Sequence, residues 1–343
     1  MRMIKLSALI PVLALGLVAL RRDVPSLTQF LREVIRLDAA QLAAAERGEP
    51  VVQVLETQDL RDVAVFGIVA IRASRDNYVR HLRDVQQSLP TPTRVRLGVF
   101  SAPATLVDVQ PISFEKQDVE DLRKCQPGKC DFKLPAAEMQ LMRERVNRAT
   151  DPVAELTTYA RQRLVEYVSD YRARGDSAMV VYDDRGNVRA SDAFAALLAQ
   201  SPYVYQYVPS LAEYLAAYPR RKLEGVTDVI FWSETAAPRM RRTLTVNHLA
   251  MYSPPEATGM TLVASKQIYA NHYFEAAFDL TSVIDRADGE RGSYLLVLRR
   301  FRFDNLPKGG ILNIRGKVIG SLRDQMLADL QREKAAAERL GPA

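Results

Sequence analysis

From Thr261 to Asp285, apolar and polar residues alternate with few interruptions. Leu262, Ala264, Ile268, Ala270, Phe274, Ala276, Phe278 and Leu280 share one parity; Ser265, Gln267, Asn271, Tyr273 and Glu275 share the other, with Val263, Tyr269 and Ala277 as exceptions. A period of two predicts one long antiparallel strand, or two strands joined at a bend, with one buried and one wet face. Lys266 and His272 alone break the apolar face, which marks them as candidates for a role beyond packing.

The rest of the chain alternates between this period and the helical one. Leu27, Phe30, Leu31, Val34 and Ile35 predict a helix over 24–45, stopped by Gly48. Residues 51–55 and 63–72 read as strands joined by a polar hairpin connection, and the second, apolar on both faces, belongs inside a sheet. Ser74 caps a predicted helix ending near Ser88, and 95–100 is a further strand. Between Phe114 and Pro219 the pattern is mainly helical: a segment leading to the cysteines, then 135–146 and 153–173. A short strand at 178–182, a turn at Asp183-Asp184-Arg185-Gly186-Asn187, a helix capped by Ser191 and a tyrosine-rich stretch at 203–218 follow. Strands resume at 226–233 and 243–252, then at 261–285 and 294–303. The closing helix, of roughly 30 residues by its periodicity, carries Ile314, Val318, Leu322, Met326 and Leu330 on one ridge, and its polar tail is expected to fray.

Composition narrows the classes. With 343 residues, 48% of them apolar, the chain can bury one large core or two modest ones. The net charge of +6 is spread among interleaved acids and bases, so it reads as solvation, with a membrane surface or an acidic ligand as the alternative. Nucleic-acid binding would need a basic stripe and a recognisable module, and the sequence has neither. MRMIK followed by the apolar run Leu6–Leu20 suits a signal peptide or an N-terminal anchor, so export to the periplasm or cell envelope is expected. Cys125 and Cys130 flank Pro127-Gly128 and are expected to close a small disulfide loop, as that compartment allows.

No catalytic or cofactor motif is present. The 3 histidines are widely spaced, no H-x-x-x-H or H-E-x-x-H pairing exists, and no metal or cofactor is expected. Ser233 and Ser265 lack the glycines of a nucleophile elbow. Asp183-Asp184 reads as turn chemistry.

The order of elements resembles the START-like helix-grip superfamily over about 51–100 and 225–335. The chain otherwise resembles exported bacterial proteins, which implies no activity. The superfamily resemblance implies an α+β fold in which a curved antiparallel sheet grips a long C-terminal helix around an apolar cavity, and it implies a lipid or other hydrophobic small molecule as ligand. Residues 1–20 are then the targeting segment, 21–112 and 223–343 the two parts of the α+β domain, and 113–222 a mainly helical insertion. Cavity-lining candidates are Trp232, His248, Lys266, His272, Phe274 and Arg299. His272 lies six residues from Lys266, roughly 20 Å along an extended strand, so cooperation would require neighbouring strands. The reading set against this is that each polar candidate is a hydrogen-bonded core group, or is turned to solvent by a bulge. Three functions follow: a carrier of an apolar ligand; an envelope assembly protein with a filled core and an apolar patch on the insertion; and a pocket enzyme using His248 or His272 as acid–base. The last requires a second titratable group within hydrogen-bond reach.

Overall fold

Long strands that are apolar on both sides must be covered twice, and the helices do this. The computed structural model describes residues 26–83, 94–236, 240–255, 257–286, 291–307 and 313–339. The targeting segment predicted at 1–20 and the helix end predicted near Ser88 lie outside the described residues.

Two short helices, Leu27–Glu33 (α1) and Ala39–Glu46 (α2), precede a hairpin of Val51–Leu55 (β1) and Asp62–Ile71 (β2). Arg75–Arg83 (α3) and Arg94–Val99 (β3) follow, then Lys116–Arg123 (α4), Ala136–Arg148 (α5) and Pro152–Arg174 (α6). Val181–Tyr182 (β4) and Val188–Arg189 (β5) form a small ribbon around the Asp183–Asn187 turn. Ala190–Ala199 (α7), Pro202–Tyr207 (α8) and Pro209–Ala217 (α9) complete the helical stretch. Five long strands come next: Thr227–Thr235 (β6), Thr243–Tyr252 (β7), Met260–Ala270 (β8), Phe274–Asp285 (β9) and Ser293–Phe303 (β10). Ile314–Arg339 (α10) closes the fold.

The main sheet is antiparallel and eight-stranded, in the order β1-β2-β10-β9-β8-β7-β6-β3. The fold is thus α+β, with a large antiparallel sheet and a C-terminal helix, as expected. The alternating stretch is a hairpin, not one strand. It turns at Asn271–Tyr273, where Tyr273 takes φ 62°. Because Lys266 pairs with Phe278 and Ala264 with Leu280, residues of equal parity share a face across the turn. Alternation alone therefore could not separate a strand from this hairpin.

Three local expectations are corrected. The helix predicted over 24–45 breaks at Arg36, which has φ 65°, and restarts at a capping box formed by Asp38 and Gln41. Ser191 lies inside α7 and does not cap it. The tail of α10 stays helical to Arg339, with Ala336 and Ala337 buried and the Lys334 ammonium donating to the Ala70 carbonyl at 2.9 Å. The disulfide between Cys125 and Cys130 forms as expected, around a turn in which Gly128 has φ 79°.

The covering of the two faces is the larger correction. α10 lies over β1 and β2 on the odd-numbered face, its Met326 and Leu330 packing with Val65, Val69, Leu295 and Val297. The even-numbered face, whose alternation was to meet the C-terminal helix, is covered instead by α6–α9 and α1. Phe66, Leu262, Ala264, Phe278 and Leu298 join Phe194, Leu211 and Leu215 there. Ile230, Trp232, Leu244 and Ile268 pack with Leu164 and Val168 of α6. Both coverings are possible because β2 is buried along its whole length.

Gly67 lets α10 approach: a β-carbon there would meet Leu330 Cδ1 at 2.7 Å and Met326 at 3.0 Å. Gly67→Val should destabilise the fold by about 1–3 kcal/mol through overpacking. Urea unfolding checks this, and a midpoint unchanged from wild type would refute the close seat.

Candidate ligand site

Two cavities open between the even face and the helices above it. The first, about 200 Å³, is walled by Phe66, Leu262, Leu280, Leu296 and Leu298 of the sheet and by Leu27, Phe30, Tyr203, Tyr207 and Leu211 of α1, α8 and α9. Ser282, Tyr203 and Tyr207 are its lining residues that carry a polar group. The second, about 430 Å³, lies between α5, α6 and the sheet, lined by Phe114, Phe132, Met142, Leu164, Tyr167, Leu244 and Tyr269, with Glu138, Arg163, Glu166 and Asp170 also on its wall.

A polar row crosses the even face beside the first cavity. The register aligns Ala64, Arg300, Phe278, Lys266, His248 and Ile230 from β2 to β6. His248 is fully buried; its Nε2 is 2.9 Å from Asp228 Oδ1 and its Nδ1 2.9 Å from the Tyr171 hydroxyl. The tautomer satisfying both contacts carries its proton on Nε2, donating to the carboxylate, while Nδ1 accepts from Tyr171. Tyr214 donates to the other oxygen of Asp228, and Tyr218 packs over the His248 ring at 4.4 Å. Burial pushes the Tyr171 and Tyr214 hydroxyls well up, Asp228 reinforcing it at Tyr214, so both stay protonated. Lys266 donates to Asp176 and, at 2.9 Å, to the Leu215 carbonyl, and lies over the Phe194 ring. Burial lowers its pKa against the opposing pull of Asp176.

Beneath α10 the odd face is charged. Arg299 donates to Asp329 of α10 at 2.6 Å and lies 3.9 Å from Asp279. Burial pushes the Asp279 carboxyl up, yet 43% of its side chain stays accessible. At Arg299 burial acts to lower the pKa, but Asp279 and Asp329 outweigh it and hold it raised.

None of the six residues picked from sequence lines either apolar cavity. Trp232 is buried on the even face, donating from its indole N–H to the Asp108 carbonyl at 2.8 Å. His248 and Lys266 sit in the polar row, direct neighbours across β7 and β8. His272 occupies the β8–β9 turn, where its Nδ1 donates to the Asp131 carbonyl at 2.6 Å; burial lowers its pKa and leaves Nε2 without a partner. Phe274 lies past a register shift at Arg302/Phe303 and packs with Phe301 and Phe303, near Val318 and Leu322 of α10. Arg299 alone sits between sheet and α10 as a polar group. The tyrosine stretch at 203–218, which the sequence offers as a pocket mouth, a partner surface or amphipathic packing, does supply Tyr203 and Tyr207 to the wall; the residues missed were Leu27 and Phe30 of α1, Leu211 of α9, and Arg300. Parity could have found Arg300, since it shares a face with Leu296 and Leu298. Among the described residues, no group of three or more His, Cys, Asp or Glu is placed to hold a metal ion, and no helix is long and apolar enough to cross a membrane.

No family model matches the chain, and a search of curated proteins gave no match. Among solved structures, the crystal structure of Ara h 8.0201 is similar at 11% identity and a TM-score of 0.17, covering 42% of this chain and 91% of that one. A likeness at that score carries no argument about fold or ligand.

Asp176→Asn should expose the cost of the buried Lys266 charge. Removing one member of a buried pair costs about 3 kcal/mol. With its folded pKa below the unfolded one, Lys266 binds fewer protons folded than unfolded, so stability rises with pH up to about 10.4. The loss should therefore be greatest at neutral pH and shrink towards pH 10 in urea titrations; a pH-independent loss would refute the assignment.

Proposed function

We propose that this protein binds a hydrophobic small molecule, such as a lipid chain, in the 200 Å³ cavity between the even face and α1, α8 and α9. The apolar character of that wall carries the reading. A void lined by Leu, Phe, Val and Ile offers water too few partners, stays dry, and accepts an apolar guest. The helix-grip resemblance agrees in kind, although the cavity lies under the helical insertion and not under α10. We further place the protein in an oxidising envelope compartment, a reading supported by the Cys125–Cys130 disulfide.

The two other functions have less behind them. Of the large apolar side chains described in 113–222, only Leu141 is exposed, so the insertion offers no contiguous docking patch. An acid–base pairing does exist at His248, but Tyr171 is fully buried and none of Asp228, His248 and Tyr171 lines either cavity. Their chain of hydrogen bonds, extended by Tyr214 on Asp228, ties α6 and α9 to β6 and β7.

Titration with the neutral dye 1-N-phenylnaphthylamine should saturate, with displacement by a hydrophobic competitor. Leu298→Trp, which fills the cavity, should weaken binding about tenfold, the effect of displacing roughly two methylenes at ~0.8 kcal/mol each. Absent saturation in the wild type, or unchanged affinity in the variant, would refute this function.

A further inference from the structure

Arg300 is 4% exposed, yet no acidic side chain pairs with it among the described residues. Among the described residues its one hydrogen-bond contact is long, 3.5 Å from an Nη to the Tyr203 hydroxyl, and its Nε has no partner. Burying a guanidinium without a counter-charge is strongly unfavourable, and buried charges are ordinarily paired. The other buried cations among the described residues follow that rule: Lys266 has Asp176, and Lys133 has Asp184 at 3.1 Å. Arg300 is the exception, and its position is specific. Along β10 it follows Leu298 on the same face, and Leu298 with its cross-strand neighbours Phe66 and Leu280 forms part of the cavity wall. Tyr203, its one contact, belongs to that wall as well. An unpaired donor therefore stands one residue row beyond an apolar chamber.

We infer that the ligand is an amphiphile headed by a carboxylate, its tail in the cavity and its head on the Arg300 guanidinium, with Tyr203 as a second donor. This rests on the cavity being a ligand site. A carboxylate supplies what Arg300 lacks: a negative charge and planar acceptors matched to the fork of N–H donors. The charge-assisted bond forms in a water-poor setting, where it discriminates strongly against a neutral head.

The test compares decanoate, 1-decanol and decyl phosphate on the full chain by isothermal titration. Wild type should bind decanoate at least about tenfold more tightly than decanol, the factor expected for a hydrogen bond to a charged group. Arg300→Met should abolish that preference while leaving decanol binding in place, and Arg300→Lys should restore part of it. The melting temperature of ligand-free Arg300→Met should match or exceed that of wild type, since the substitution removes an unpaired buried charge; a clear fall would assign Arg300 a structural role and overturn the inference. Equal affinity for decanoate and decanol in the wild type would overturn it while leaving the cavity reading intact. Tighter binding of decyl phosphate than of decanoate would overturn the carboxylate assignment, and binding of none of the three would remove both readings.

Discussion

The organising constraint is that the central strands of the sheet are apolar on both sides. β2 buries every residue, and its neighbour β10 carries Leu296 and Leu298 on one face and Leu295 and Val297 on the other. A sheet of this kind cannot leave either face to water, because each exposed large apolar side chain would forfeit about 1.5–3 kcal/mol. The chain meets the demand with two separate covers: α3 and α10 on the odd face, and α1 with the long helical stretch between β3 and β6 on the even face. The apolar cavity and the polar row both arise where the second cover fits the sheet imperfectly or meets polar residues in it.

The polar row shows how cross-strand register makes chemistry that linear spacing conceals. His248 and Lys266 are eighteen positions apart in sequence but paired directly, and Arg300 stands two strands from Lys266 in the same row. Their fates differ with their partners. His248 is held between a carboxylate and a tyrosine hydroxyl, Lys266 by Asp176 and a helix-end carbonyl, and Arg300 by one long contact. Satisfied groups of this sort fix the packing of α6, α7 and α9 on the sheet; the unsatisfied one is where a ligand could add what the fold omits.

Much of the architecture was legible as period. β7 matches its predicted span residue for residue, β6 and β10 nearly so, and the Met326–Leu330 ridge of α10 is the buried one. Periodicity failed where backbone conformation, not hydrophobicity, decides. The left-handed residues Arg36 and Tyr273 end a helix and turn a hairpin without disturbing the pattern around them. The candidate site was less legible. Its wall draws on α1, α8 and α9 as well as four strands, and the tyrosines at 203 and 207 read in sequence as either a pocket mouth or amphipathic packing, which spacing alone does not separate.

Apart from the break between β8 and β9, the long strands, the long helices, the disulfide loop and the α+β class were legible in the sequence, because each follows from local spacing of apolar side chains or of two cysteines. Legible too was which residues share a face, since alternation is a property of the extended backbone. Which cover meets which face was decided only by the tertiary structure. An apolar face is complementary to any apolar helix, and only the path of the chain, leaving β3 and returning at β6, brings α6–α9 onto the even side and sends α10 to the odd one. That choice put Arg299 beside Asp329, and left Arg300 next to the cavity without a counter-charge.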